Sequence, residues 1–473
     1  MTWRIDQSPY LERLNQSLLH TRMGRITKSI GLTYEAYLPG ASVGSLCRIL
    51  ASHDLDSDLG FDAEVVGFRD KRALLMPYDD AAGVNTDSLV VLKERSSTVS
   101  VGDALVGRVL DGKGDPIDGK GPLIHRLGQV SQRSLYQKPT HPLERQKVEE
   151  PLDLGIRSIN GLLTCGKGQR LAIMAGSGVG KSVLLGMMAQ HTKADINVIA
   201  LIGERGREVR EFIENDLGPE GLKRSVVIVS TSDRSPLLRM RGAYLAATVA
   251  EYFRDQGKDV LFLMDSVTRF CMAQREIGLS LGEPPASRGF TPSVFSSIPK
   301  LLERAGMAPV KGSITGLFSV LVESEEMDDP IADAVRSILD GHIVLSRTIA
   351  QKNHFPAIDV LKSASRVMRS VITQDHVKWA GQIKEWIANY QEAEDLINIG
   401  AYVRGSNPKV DQAIAVRDKI NDFLKQGMGE KASFSDTLAQ LHSIVRLGES
   451  HLLANQAVPE GKRGQGGSSQ VRF

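Results

Sequence analysis

The sequence has few cysteines and little net charge. Its 473 residues include three cysteines, Cys47, Cys165 and Cys271, which are widely separated and form no CxxC pair. A disulfide framework is therefore not expected, and a reducing cytosol suits the chain. The 58 basic and 56 acidic residues nearly balance, which argues against a chain-wide surface for nucleic acid. We expect no nucleic-acid partner.

Long apolar runs are missing as well. No run approaches the roughly 18 consecutive apolar residues that a membrane helix needs. The first residues, MTWRIDQSPYLERLNQ, contain no apolar segment followed by a small-residue cleavage site, so we expect no signal peptide. The composition is otherwise that of a globular protein. We therefore expect a soluble chain with a few domains, and the sequence leaves peripheral membrane contact open.

Short apolar runs separated by turn residues begin near Gly24 and continue to Arg95. Two of them, 65–68 and 73–76, are split by a charged break that is typical of a hairpin. Several closely spaced strands favour a small β-barrel, which we predict over residues 24–95. Before it, residues 1–23 carry apolar side chains at helical spacing. This segment fits either a helix packed on the barrel or a partner-binding element.

The periodicity changes near Pro151. Continuous apolar runs alternate there with helical stretches, as expected for a parallel sheet buried on both faces. These runs are 171–174, 198–202, 226–229, 260–264 and 317–322. We predict a central domain over 96–374, a helical domain over 375–450 and a flexible tail over 451–473. The predicted fold class is α/β: an N-terminal small β-barrel, a central parallel-sheet domain and a C-terminal helical domain.

A glycine-rich segment follows the first of these runs. Residues 175–182 read AGSGVGKS and match the Walker A pattern, except that alanine replaces the first glycine. Glycines allow consecutive backbone N–H groups to surround a phosphate, while Lys181 would reach the β- and γ-phosphates and Ser182 would hold Mg²⁺. The preceding strand and following helix favour a phosphate-binding loop over a chance turn. The central domain over 96–374 is therefore predicted to be a P-loop (RecA-like) ATPase domain. The predicted nucleotide-binding residues here are Ala175, Gly176, Ser177, Gly178, Val179, Gly180, Lys181, Ser182 and Val183.

Acidic residues follow two other runs. Asp265 ends the run 260–264 and has the form of a Walker B aspartate that orients Mg²⁺ through its waters, although strands often end in Asp at a helix cap. Glu204 follows the run 198–202, where a carboxylate could polarise the attacking water. The residues alone leave a second interpretation of Glu204 open, which is a charged first turn of a solvated helix.

Several motifs together resemble the rotary ATPase superfamily: AGSGVGKS, GERGREV, LMDSVTRF, GEPPASRGFTPSVF, DPIADAVRSILDGHIVLSR and FPAIDVLKSASR. Within it, the chain is most similar to the flagellar type III export ATPases, from about Gly24 to about Leu447. The resemblance implies that Glu204 activates water and that Arg205 lies near the phosphates. It implies that Arg366 is an arginine finger that reaches a neighbouring subunit's nucleotide. Phe355 would stack on adenine, which requires no hydroxyl.

The resemblance also implies cofactors, partners and location. We expect ATP and Mg²⁺, and a homohexameric ring, because one chain carries both the catalytic glutamate and the finger. Residues 1–23 would bind a regulatory stator protein. Export chaperones and substrates would pass to a membrane export gate, with the enzyme cytoplasmic and peripheral at the inner face of the cytoplasmic membrane.

Other classes share these motifs. A catalytic subunit of a virulence-type secretion or proton-translocating rotary ATPase remains an alternative. A non-catalytic nucleotide-binding subunit is disfavoured by Glu204, because such subunits typically lack this carboxylate. A Rho-like RNA translocase is disfavoured because the N-terminal region has no basic, aromatic-rich platform for single strands.

Overall fold

The computed structural model describes residues 22–50, 60–123, 130–322 and 329–456, with the backbone alone for 452–456. The chain forms two compact units. The first comprises residues 1–147, 168–172 and 194–339, and the second comprises 148–167, 173–193 and 340–473. The helix predicted within residues 1–23 lies outside the described residues. The domain boundaries drawn from sequence stay a prediction.

Six strands near the N-terminus form a closed barrel in the order β1–β2–β5–β4–β3–β6. They are β1 (Met23–Ile30), β2 (Thr33–Tyr37), β3 (Leu46–Leu50), β4 (Gly60–Arg69), β5 (Arg72–Pro77) and β6 (Leu89–Glu94). All neighbouring strands are antiparallel, and the pairing of β1 with β6 closes the barrel. Side chains such as Ile26, Ile49 and Leu75 fill its interior. The predicted barrel is confirmed.

The remaining strands are β7 (Thr98–Val101), β8 (Val109–Asp111), β9 (Ser131–Ser134), β10 (Pro151–Leu152), β11 (Cys165–Gly166), β12 (Arg170–Ala175), β13 (Ile196–Ile202), β14 (Ser225–Ser230), β15 (Asp259–Asp265), β16 (Gly306–Met307), β17 (Ser313–Leu321), β18 (Gly341–Leu345) and β19 (Ile358–Ser365). The described α-helices are α1 (Arg157–Leu162), α2 (Lys181–His191), α3 (Gly206–Glu211), α4 (Gly218–Lys223), α5 (Pro236–Asp255), α6 (Val267–Ser280), α7 (Pro292–Leu302), α8 (Pro330–Ile338), α9 (Arg347–Gln351), α10 (Met368–Val371), α11 (Gln374–Asn398), α12 (Pro408–Leu424) and α13 (Phe434–Gln456).

The first unit contains a parallel sheet in the order β17–β15–β13–β14–β8. Every residue of β13 and of β14 is buried, as expected when helices cover both faces of a parallel sheet. The residue pairing places Leu201 of β13 beside Asp265 of β15. The carboxyl ends of these two strands therefore lie together, and the predicted parallel sheet is confirmed.

The second unit contains the end of β12, the antiparallel pair β18–β19 and the C-terminal helices. The aromatic side chain of Trp386 on α11 is part of the core, since it is buried and a Cβ on Gly448 of α13 would lie 2.3 Å from its ring. Thr373 caps α11 by accepting a hydrogen bond from the His376 amide at 3.4 Å. The predicted helical domain is confirmed.

Candidate nucleotide site

The glycine-rich loop lies in the second unit, between β12 and α2. Gly178 and Gly180 have φ values of +76° and +87°, a region that residues with a Cβ rarely enter. Gly180 directly precedes α2, an eleven-residue helix whose first residue is Lys181. The Leu184 amide donates to the Gly180 carbonyl at 3.0 Å, which fixes the first turn. A helix beginning at such a loop presents backbone N–H groups to an anion.

Within the loop and the first turn, exposure alternates in a way that suits a phosphate cradle. Val179 is buried and anchors the loop, while Ser177 and Gly178 are exposed. Lys181, Ser182 and Val183 are half-buried. The buried Val179 side chain therefore holds the loop in place, while Ser177 and Gly178 stay accessible to a ligand.

Phe355 lies against this loop. A Cβ placed on Gly180 would be 3.5 Å from the Phe355 ring, which is van der Waals distance. The ring is 42% exposed, so one part contacts the loop and the rest is open for stacking. Burial lowers the pKa of the neighbouring His354, and the cations of Lys425 and Arg417 lower it further. The imidazole that precedes the ring is therefore harder to protonate than an ordinary histidine.

Glu204 lies in the first unit, just past the carboxyl end of β13. Gly203 has a φ of +72°, and a Cβ there would lie 2.7 Å from Cβ of Arg269. The Gly203 amide donates to the Ser230 carbonyl at 2.6 Å, and the Glu204 carbonyl accepts from the Ser232 amide at 3.1 Å. The backbone on both sides of this half-buried glutamate is thus held by the neighbouring strand β14 and the loop after it.

Asp265 ends β15 and is 4% exposed. Its Oδ1 accepts a hydrogen bond of 2.7 Å from the Ser319 hydroxyl on β17. The next residue, Ser266, caps α6 by accepting from the Arg269 amide at 3.3 Å. The carboxylate is therefore held at the edge where β13 also ends, beside the segment that carries Glu204.

The two arginines are more exposed. The Arg205 side chain is 76% exposed, and its Nη1 lies 3.3 Å from Glu208 in the next turn. Arg366 follows β19 in the second unit, where its amide donates to the Asp340 carbonyl at 3.0 Å and its side chain is exposed. The structure thus brings Phe355 to the glycine-rich loop. It also ends β13, the strand that precedes Glu204, beside the end of β15 that carries Asp265.

Three supporting contacts were missed by sequence reasoning. Gly203 and Arg269 are 66 positions apart, and Ser319 lies on a different strand from Asp265, so neither contact has a local sequence signal. Gln426 lies beyond the helix that follows Pro408, and its amide donates to the Phe355 carbonyl at 2.9 Å. A glycine directly after a buried strand was the one available cue, since it often marks close backbone approach.

No helix in the described part of the chain has the length and hydropathy of a membrane span. Residues 155–365 match the nucleotide-binding domain of the ATP synthase alpha/beta family. Residues 372–443 match the C-terminal domain of the T3SS EscN ATPase.

Known proteins and solved structures are similar over most of the chain. The flagellum-specific ATP synthase of Bacillus subtilis is 52% identical over 426 residues, covering 90% of this chain and 96% of that protein. The assembled ATPase EscN of the enteropathogenic E. coli type III secretion system is 47% identical with a TM-score of 0.83, covering 89% of this chain and all of that chain. EscN has also been solved with its central stalk EscO, at a TM-score of 0.82. The chain therefore belongs to the family of flagellum-specific ATP synthases and type III secretion ATPases, and it is an ATP hydrolase of protein export.

Proposed function

We propose that this chain powers the flagellar branch of protein export. It hydrolyses ATP to support unfolding and delivery of substrates and chaperones to a membrane export gate during flagellum assembly. One observation supports ATP hydrolysis above the others. A glycine-rich loop with two glycines in the left-handed region leads directly into α2 and lies against the Phe355 ring. The 52% identity to a flagellum-specific ATP synthase favours the flagellar branch.

The loop would hold the triphosphate. Its backbone N–H groups and the start of α2 would bind the phosphate oxygens, and the Lys181 ammonium would contact the β- and γ-phosphates. Phe355 would stack on adenine with its exposed face. These residues bind and orient the nucleotide.

Ser182 and Asp265 fit the chemistry of Mg²⁺. This ion typically takes one or two carboxylates together with substrate phosphates and water. Ser182 supplies a hydroxyl at the start of α2, and Asp265 supplies a buried carboxylate at the end of β15. When bound, Mg²⁺ neutralises charge on the β- and γ-phosphate oxygens.

Glu204 would orient the water that attacks the γ-phosphate and accept its hydrogen bond. The backbone from which its side chain extends is held by the bonds of Gly203 and of Ser232. Arg205, one residue on, has an exposed guanidinium that pairs with Glu208, and it would approach the phosphates when this pair opens.

Arg366 would act in trans. Its exposed side chain at the end of β19 suits an arginine finger that reaches the nucleotide of a neighbouring copy, and such fingers contribute roughly 10³ to 10⁵ in rate. One chain with both Glu204 and Arg366 can complete a site at every interface of a closed ring. We propose a homohexamer, and the assembled state named for EscN supports this.

Further partners follow from the same family. EscN binds a central stalk, EscO, and we propose that this chain binds a corresponding stalk protein. Residues 1–23 would bind the regulatory stator protein. The enzyme would be cytoplasmic and peripheral at the inner face of the cytoplasmic membrane.

Mixing two inactive variants tests the shared site. Glu204→Gln removes the water-orienting carboxylate, and Arg366→Ala removes the finger, so each alone is expected to lose at least about a hundredfold in kcat. Mixed at high protein concentration, they should regain activity, because some interfaces combine Glu204 of one copy with Arg366 of another. The measurement is ATPase rate against protein concentration.

A matched mixture serves as the control. Glu204→Gln mixed with Lys181→Ala should regain much less activity than the first mixture. Lys181 and Glu204 of one copy serve the same nucleotide, so no interface in this mixture combines both. Full activity of Arg366→Ala alone, or no recovery in the first mixture despite ring formation by light scattering, would overturn the shared site.

A virulence-type role is the second candidate, because EscN from such a system is 47% identical. Deleting the gene in its host distinguishes the two roles. Loss of flagella and motility supports the flagellar role, whereas intact motility with lost effector secretion supports the alternative.

A further inference from the structure

A single glutamine joins three segments of the second unit. Gln426 is buried, and its side-chain Nε2 donates to the carbonyls of Gly155 at 2.8 Å and Glu430 at 2.7 Å. Its Oε1 accepts from the Arg157 amide at 2.8 Å. All three side-chain bonds run to backbone atoms, so they fix the main chain at residue 426.

The main chain of Gln426 is linked to the glycine-rich loop through Phe355. The Gln426 amide donates to the carbonyl of Phe355 at 2.9 Å, and the Phe355 ring lies against Gly180 at the start of α2. A hydrogen bond from a fixed donor holds its acceptor more firmly than one from a mobile donor, because less conformational freedom is lost when the bond forms.

The opposite end of α2 is tied to the same glutamine. Gly155, which accepts the side-chain bond, packs so closely on His191 that a Cβ there would lie 2.3 Å from the His191 Cβ. His191 is the last residue of α2. Gln426 is therefore bonded to one neighbour of each end of the phosphate-binding helix.

A second residue holds the same C-terminal segment. The Arg157 guanidinium donates to the carbonyls of Phe423, at 3.0 Å, and Lys425, and it pairs with Glu430. The turn between α12 and α13 is thus anchored on both sides of Gln426. Its position is set by buried hydrogen bonds.

We propose that Gln426 is a positioning residue for the base-binding side of the nucleotide site. It acts through Phe355: its side chain fixes its own amide, and that amide fixes the Phe355 loop against Gly180. The inference rests on the proposed contact between Phe355 and adenine. The bonds of Gln426 run to Gly155, Arg157, Glu430 and Phe355, so it should affect nucleotide binding without affecting the chemical step.

The test compares two buried amide side chains of one unit. Gln426→Ala keeps the main-chain bond to Phe355 but loses the three side-chain bonds that fix its donor. It should therefore raise KM for ATP about tenfold, with kcat at saturation changed less than about twofold. Inhibition by inorganic tripolyphosphate, which has no base, should be unchanged. Gln426→Met, with similar length and no polar atoms, serves if the alanine variant fails to fold.

Asn160→Ala is the matched control. Asn160 is buried in the same unit, and its side chain bonds Leu154, Asp153 and Ala432 without bonding Phe355 or Gln426. Its KM for ATP should stay near that of the unmodified protein. If both variants raise KM alike, or if tripolyphosphate inhibition weakens as much as ATP binding, Gln426 only stabilises the fold and the inference is overturned.

A double variant separates this inference from the proposed function. Phe355→Ala should raise KM by itself, and adding Gln426→Ala should raise it no further, because one acts through the other. If Phe355→Ala raises KM and Gln426→Ala does not, the positioning role alone is wrong. If Gln426→Ala raises KM while Phe355→Ala leaves it unchanged, the base contact of Phe355 and the route through it are both wrong.

Discussion

At the scale of single residues, two serines of β17 make the same hydrogen bond at opposite ends of one strand pair. Ser319 donates to Asp265 at the carboxyl end of β15, and Ser313 donates to Asp259 at its start, each at 2.7 Å. Asp265 belongs to the proposed nucleotide site, whereas Asp259 lies at the other edge of the sheet. Comparing the two serines therefore distinguishes what such a hydrogen bond contributes to stability from what it contributes to the nucleotide site.

Ser319→Ala should raise the Mg²⁺ concentration for half-maximal ATPase activity and lower kcat several-fold. The Asp265 carboxylate loses one donor that orients it, and bonds to charged groups contribute about 1.5–3 kcal/mol. Mg²⁺ titration of the steady-state rate provides the measurement.

Ser313→Ala is the paired control. It should lower the unfolding midpoint in urea by about as much as Ser319→Ala does, while leaving the Mg²⁺ dependence of the ATPase rate unchanged. Equal effects of both variants on Mg²⁺ dependence would contradict a specific role for Ser319.

Sequence reasoning reaches individual residues only when their signal is local. Asp265 could be predicted because it ends an apolar run, and Lys181 because it lies in a compact motif. Ser319 could not, since its bond joins residues 54 positions apart on neighbouring strands. Gln426 is hidden for the same reason, because its partners lie at residues 155, 157, 355 and 430.

At the scale of secondary-structure elements, one fully buried ion pair joins α5 to the segment after α7. Arg304 donates to Glu251 at 2.8 and 2.7 Å, to the Leu135 carbonyl at 2.8 Å and to the Thr248 hydroxyl at 2.8 Å. Arg304 is 1% exposed and Glu251 is 2% exposed. Because both charges are desolvated, removing one leaves the other uncompensated.

Arg304→Met should therefore destabilise the protein by about 3–5 kcal/mol, and the double variant Arg304→Met, Glu251→Leu should recover part of that loss. Arg207→Met is the control, because its pair with Glu211 on α3 is exposed and such pairs contribute about 0–1 kcal/mol. Urea unfolding followed by circular dichroism measures all three. A double variant as unstable as Arg304→Met would show that packing dominates.

Elements with long, regular patterns could be predicted from sequence. Continuous apolar runs predicted β13, β14 and β15, and the helical pattern over 375–450 predicted the C-terminal helices. Strand β8 could not be predicted as part of the sheet, because three residues are too few for a period and its pairing with β14 joins distant parts of the chain.

At the scale of the whole molecule, two histidines with lowered pKa values, the buried His376 and the half-buried His354, shape the dependence of stability on pH. Burial lowers the pKa of His376, whose ring lies 2.7 Å from the Gly161 carbonyl, and burial with two nearby cations lowers that of His354. Both lie in the second unit. The unfolded chain, with an ordinary histidine pKa of about 6.5, then binds more protons than the folded chain below that pH.

Stability should be fully present above about pH 6.5 and should fall as pH decreases through 6.5 towards the lowered folded-state pKa values. Each histidine contributes a slope of up to about 1.4 kcal/mol per pH unit. Thermal unfolding measured from pH 7.5 to 5.5 should show a shallower decline for the double variant His354→Gln, His376→Gln. His141→Gln, which changes an exposed side chain, should retain the original slope, and an unaltered slope in the double variant would contradict the assignment.

The closed barrel has a consequence for how copies of the chain meet. Each of its six strands is paired on both sides, whereas an open edge would offer unpaired backbone groups to another chain. Neighbouring barrels can therefore not add strands to one another and must meet through side chains and loops. Contacts of this kind can dissociate without unravelling a sheet, so crowding several copies together carries little risk of irreversible aggregation through this domain.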